Sequence, residues 1–176
     1  MQIRKATEND LNVMMEIYAH ARKFMAETGN PTQWADSYPA KELIRQDIAQ
    51  GVSYVCVEDQ LEEDVPEAKE NVTEQEIEAV FMYDMREDPT YAVIENGNWV
   101  NDRPYGVLHR IASRGRKKGV ASFCMQWCFE QCGNLKCDTH EDNKVMQHVM
   151  EKNGFVRCGR IYVEDGSPRV AFQKTE

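Results

Sequence analysis

The stretch HRIASRGRKKGVASFCMQW, His109 to Trp127, limits the fold more than any other part of the chain. It opens as an apolar strand that ends at Ala112. Arg114, Arg116, Lys117, Lys118 and Gly119 follow, a helix is predicted to begin near Lys117, and from Gly119 to about Cys132 the apolar spacing is helical. A strand that feeds through one short turn into a helix belongs to a sheet with helices on its faces. The first N–H groups of such a helix lack intrahelical acceptors, and the helix dipole points its positive end toward the end of the strand. Gly119 and the small Ala121 let an anion approach the backbone, and the four basic side chains suit a ligand with several phosphates.

The rest of the chain supplies the partners of this unit. MQIRKA alternates as a strand, and Thr7 three residues before Asp10 resembles a capping box. Leu11, Met14, Met15, Tyr18, Ala21 and Met25 then recur at helical spacing until Gly29 and Pro31. PAKELIRQDIAQG reads as a shorter helix, and VSYVCVE and IEAVFMYDM as two strands. YGVLHRIAS and NLKCDTH are strands, DNKVMQHVMEKNG a helix closed by Gly154, and FVRCGRIYVEDGSPRVAFQK a hairpin turned at Asp165-Gly166. The order β-α-α-β-β-β-α-β-α-β-β predicts an α/β (α+β) fold, a mixed sheet flanked by helices. At 176 residues the chain has the length of one domain, 1–176.

Charge and cysteine usage narrow the function classes. The net charge is −9, and Glu58 to Glu78 alone holds ten acids and one base, so the remainder is close to neutral. That segment reads as a solvated acidic loop at about 58–76. RGRKK is one short basic turn without interleaved aromatics, which argues against a nucleic-acid partner. The sequence holds no apolar run near the ~18 residues of a membrane span, and the N-terminus has no apolar signal core; a cytoplasmic protein is expected. Its six cysteines form no C-x-x-C pair. Cys124, Cys128 and Cys132 recur every four residues on one helix face and read as reduced, buried side chains, with no metal site expected.

HRIAS…RKKGVASFCMQWC resembles the acyl-CoA motif of the GNAT superfamily of N-acetyltransferases, [Gln/Arg]-x-x-Gly-x-[Gly/Ala] between a strand and a helix. DTHEDNKVMQHVMEKNGF, about 25 residues downstream, is similar to that superfamily's next segment. The resemblance implies a mostly antiparallel twisted sheet and acetyl-CoA as co-substrate. The N–H groups of Arg116, Lys117, Lys118, Gly119, Val120 and Ala121, with Ser122 just beyond, would cradle the pyrophosphate. Main-chain groups of Arg110, Ile111 and Ala112 would pair with the pantetheine arm, and Asn143 would hydrogen-bond near it. Two departures stand out: the turn between Ala112 and Arg116 is short for the superfamily, and Met150 stands where many members carry a tyrosine that protonates the departing thiolate. The implied activity is acetyl transfer to a primary amine by direct attack, with a silent acyl-CoA binder as the alternative that Met150 raises.

Acetyl transfer to an amine needs an oxyanion donor and a route for protons. A strand N–H near Ile111 can be the donor. His109, with an unperturbed pKa of about 6.5, is a candidate base on the strand that leads to the turn; its alternative is a packed histidine. Asp138 and His140, at the end of the next strand, can reach the same opening or instead cap the following helix. Trp34, Tyr91 and Trp99 lie on irregular segments and either wall an acceptor pocket or anchor loops. The acceptor is a small-molecule or protein amine, and the terminal strands leave room for a homodimer.

Overall fold

The computed structural model describes residues 1–58 and 76–176. Most of the acidic segment, 59–75, lies outside the described residues. The elements run β1 (Gln2–Lys5), α1 (Leu11–Glu27), α2 (Lys41–Ala49), β2 (Ser53–Val57), β3 (Ile77–Met85), β4 (Gly106–Ser113), α3 (Val120–Cys132), β5 (Asn134–Thr139), α4 (Lys144–Lys152), β6 (Val156–Tyr162) and β7 (Pro168–Thr175), in the predicted order. One sheet orders them β1-β2-β3-β4-β5-β7-β6. All neighbouring strands are antiparallel except β4 and β5. The α3 crossover explains the exception, since parallel neighbours need such a connection.

Side-chain alternation along β3 shows how the layers are assembled. Ala79, Phe81 and Tyr83 pack with Val120, Cys124, Met125 and Cys128 of α3 and with Met150 of α4. Val80, on the opposite face, packs with Leu11, Met14, Ile17 and Tyr18 of α1 and Ile44 of α2. Helices therefore cover both faces, as period-2 strands between amphipathic helices require. Met82, on the same face as Val80, meets neither helix pair. The β3–β4 connection covers it, with Tyr91 and the partly buried Trp99 and Tyr105. Gly97 lets that connection dock, because a Cβ there would lie 1.9 Å from the Cys158 carbonyl oxygen. All six cysteines are free thiols; Cys124 and Cys128 are buried as their spacing implied, whereas Cys132, at the end of the helix, is only partly buried.

The entry to α1 follows the predicted box. The Asp10 carboxylate accepts from the Thr7 N–H at 2.8 Å, its hydroxyl at 3.0 Å and both Arg4 nitrogens at 2.8 Å. Helix α3 starts later than the sequence suggests. Gly119 has a left-handed φ of 82°, so regular helix begins at Val120 rather than near Lys117. The first bond into the helix runs from Phe123 N to Gly119 O at 2.9 Å, and the N–H groups of Val120, Ala121 and Ser122 precede it. Among the described residues no helix is long and apolar enough to cross a membrane.

Candidate active site

Strands β4 and β5 begin side by side and then part. Their register holds only at Gly106↔Leu135 and Val107↔Lys136, after which the β4 edge toward Ser113 has, among the described residues, no strand partner on that side. A cavity of about 940 Å³ occupies the opening. One wall is β4 from Leu108 to Ser113; the other is Cys137–Thr139 with Met146, Val149 and Met150 of α4. Helix α1 and the α1–α2 connection close one side with Phe24, Met25, Trp34 and Tyr38, and the opening continues to Gly115 and Ala121 of the basic turn.

At the apex of the opening, β4 bulges. Val80 faces Ala112 and Met82 faces His109, so the one residue Phe81 spans Arg110 and Ile111. A bulge leaves a residue unpaired and turns two successive side chains to one face. His109 and Arg110 both reach groups on the face opposite α3: Asp88 for the first, Asp47 and Tyr38 for the second. Arg110 holds a left-handed φ of 53°, a conformation that costs a side-chain-bearing residue about 1–3 kcal/mol. Its Nη2 donates to Asp47 Oδ2 at 2.6 Å, with both side chains about nine-tenths buried. That pair from α2 holds the strained residue in place. Removing one partner of a buried ion pair strands the other charge, at a cost of about 3–5 kcal/mol. Asp47→Ala should therefore lower the urea midpoint by that amount of stability, and an unchanged midpoint would show the pair to be idle.

The His109 environment defines its tautomer. Asp88 Oδ1 accepts from the Thr90 N–H at 2.9 Å and its hydroxyl at 2.7 Å, while Asp88 Oδ2 lies 2.7 Å from His109 Nε2. Burial alone would raise the Asp88 carboxyl, but the bonds from His109 and Thr90 outweigh it and hold the group well below the usual carboxylate range. An ionised Asp88 only accepts, so neutral His109 carries its proton on Nε2 and presents the Nδ1 lone pair. Nδ1 lies 3.8 Å from Asp138 Oδ1. That oxygen accepts from the Tyr91 hydroxyl at 2.7 Å. Burial, then the nearby Asp138 charge, push the Tyr91 phenol far up, so it acts as the donor.

Several residues stand elsewhere than the sequence suggested. Tyr91 is 2% exposed and, with Trp99, sits in the cluster under the β3–β4 connection, outside the cavity lining. Trp99 donates to the Tyr91 carbonyl at 2.9 Å; of the three aromatics only Trp34 lines the cavity. His140 is likewise outside the lining and accepts from the Asp142 N–H at 3.1 Å, the local turn role weighed against catalysis. Asn143 lines the cavity but caps α4, accepting from the Met146 N–H at 3.1 Å and donating to Gln33 at 3.0 Å. Arg116 pairs with Glu78 and Lys117 with Glu58, so acids at the two edges of the acidic segment meet the basic turn. Asp88 was missed altogether. Its Asp-Pro-Thr context is a helix-start signal, and the sequence has no marker for the second oxygen reaching His109.

The residues present fit a diphosphate-bearing thioester. A Cβ at Gly119 would meet no atom within 4 Å, so the turn is open where the free N–H groups lie. The β4 edge offers main-chain partners to an extended arm. Cys137 lines the cavity, yet burial first and the Asp138 charge second hold its thiol far above its ordinary value, and Met150 Sδ lies 3.7 Å away. It stays a thiol. Among the described residues no group of three His, Cys, Asp or Glu side chains is placed to hold a metal ion.

The sheet parts beside a strand–turn–helix unit, and known structures share this fold. The chain is similar to a GNAT-family acetyltransferase from Streptococcus agalactiae 2603, at 30% identity over 99% of this chain and 95% of that one, with a TM-score of 0.82. It therefore belongs to the GNAT family of acetyltransferases. The fold, at lower identity, is also that of a ribosomal-protein-alanine N-acetyltransferase from Brucella melitensis (16% identity, complete coverage of both chains, TM-score 0.61). It is shared too by the NatC complex bound to Gag peptide and CoA (14% identity, 100% of this chain and 99% of that one, TM-score 0.60). No family sequence model matches the chain, and no curated protein sequence matches it.

Proposed function

We propose that the protein transfers the acetyl group of acetyl-CoA to a primary amine by direct attack. The observation that carries this reading is the position of the His109–Asp88 pair on the bulged strand, at the head of the opening between β4 and β5. The NatC structure, which holds CoA on the same fold, supports the choice of donor. The N–H groups of Val120, Ala121 and Ser122 would hold the diphosphate, with Gly119 leaving room and the basic turn adding charge. The free edge of β4 would pair with the pantetheine amides, and a bulge N–H near Ile111 would stabilise charge developing on the carbonyl oxygen. Bound acetyl-CoA supplies an acyl group activated as a thioester.

His109 Nδ1 is the base for the amine proton, and Asp88 stabilises the imidazolium so formed, the division of labour of an oriented histidine. Met150, 1% exposed and in the cavity wall, has no proton to give the leaving sulfur. None is required, because a thiol pKa of about 8.5 makes the thiolate a tolerable leaving group. An intact histidine–carboxylate pair also argues against a binder that has lost turnover. Thiol release from acetyl-CoA with a panel of primary amines tests the reading. We expect acceptor-dependent release that survives Cys137→Ala; release that stops with Cys137→Ala, or none with any amine despite tight CoA binding, would overturn it.

A further inference from the structure

Among the described residues the buried carboxylates come with partners. Asp10 has Arg4, Asp47 has Arg110, Glu78 has Arg116, and Asp88 has His109. Asp138 breaks the pattern. Its side chain is only 10% exposed, and among the described residues no Lys or Arg nitrogen lies within 4.0 Å; its only basic neighbour is His109 Nδ1 at 3.8 Å. Tyr91 engages Oδ1 and fixes the carboxylate in one orientation. Among the described residues Oδ2 meets no hydrogen-bond partner; it is not one of the fully buried unsatisfied atoms, and it belongs to a residue in the cavity wall. A carboxylate withdrawn this far from water is costly unless a cation meets it. The fold provides an arginine for Asp10, Asp47 and Glu78 and a close imidazole for Asp88, and leaves Asp138 Oδ2 open beside the base.

We propose that Asp138 is the docking point that receives the amine acceptor in its ammonium form. The inference rests on the acyl-transfer reading and deepens it. The ammonium sits on Asp138 Oδ2 and gives one proton to His109 Nδ1, which is free to take it because Nε2 keeps its own proton toward Asp88. The neutral nitrogen then attacks: a C–N bond forms, the C–S bond breaks, and its electron pair leaves on sulfur. The second nitrogen proton neutralises that sulfur, and His109 returns the first to solvent. Ammonium plus thioester thus give amide, thiol and one proton.

The test is titration calorimetry on CoA-loaded protein with butylammonium, 1,4-butanediammonium and Nα-acetyl-lysine amide, against n-butanol. At least one ammonium should bind, n-butanol should not, and Asp138→Asn should weaken the ammonium tenfold or more. Asparagine still accepts from Tyr91, so its melting temperature should stay within a few degrees; if the variant does not fold, the selectivity of the unaltered protein for ammonium over butanol decides. Equal binding of butanol, no ammonium binding, or binding indifferent to Asp138→Asn overturns the proposal. Acyl transfer to an amine with Asp138→Asn unchanged in KM would sink the docking site alone. Asp138-dependent ammonium binding without any thiol release would keep the site and sink the acyl-transfer reading.

Discussion

The substitution Gly119→Asp should weaken coenzyme A binding at least a hundredfold, while Gly119→Asn should cost less than fivefold. Gly119 has a φ of 82° and open space where a Cβ would go. Both replacements therefore meet the same backbone demand, and Asn and Asp are the side chains that best tolerate it. They differ in charge. The aspartate variant would set a carboxylate at the mouth of the N–H groups that precede the Phe123–Gly119 bond, where the diphosphate is expected. A hundredfold loss corresponds to about 2.7 kcal/mol, within reach of like-charge repulsion at a partly exposed site. Calorimetry with coenzyme A measures both variants. Equal losses for the two would mean that strain, not anion recognition, governs the turn.

The second large effect concerns the base. His109→Ala should lower kcat by about 10²- to 10⁴-fold, the range typical of a positioned general base, with coenzyme A affinity unaltered. Asp88→Asn keeps the size of the side chain but removes the negative charge that fixes the Nε2–H tautomer and supports the imidazolium. We expect a smaller loss, roughly tenfold or more, because the histidine itself remains. The Thr90 contacts make Asp88 a local cap as well, so the variant also needs a melting temperature close to that of the parent. A His109→Ala enzyme within twofold of the parent in kcat would assign proton removal to another group.

The same residues show where the sequence was legible. Apolar spacing and turn residues mark the order of the strands and α-helices, and Gly119 marks the turn, because only local backbone geometry is involved. The β4 bulge leaves no such mark. His-Arg-Ile-Ala alternates like any strand, and the left-handed residue is an arginine, not a glycine, held there by Asp47, 63 residues away in sequence. The Asp88–His109 contact depends on how the β3–β4 connection folds under the sheet. That fold also draws Tyr91 and Trp99 inward. Lys136 lies over the Trp99 and Tyr105 rings at 4.1 and 3.9 Å, so these aromatics form a packed layer. Aromatic side chains on an irregular segment carry no local signal that tells a packed loop from a pocket wall.

A crystal structure with coenzyme A bound would bear most directly on the whole account. We expect the diphosphate oxygens to accept from the N–H groups of Val120 to Ser122, the pantetheine to add to the free edge of β4, and the sulfur to end beside the Arg110 bulge facing His109. A cofactor seated elsewhere, or in the opening with its sulfur pointing away from His109, would contradict it.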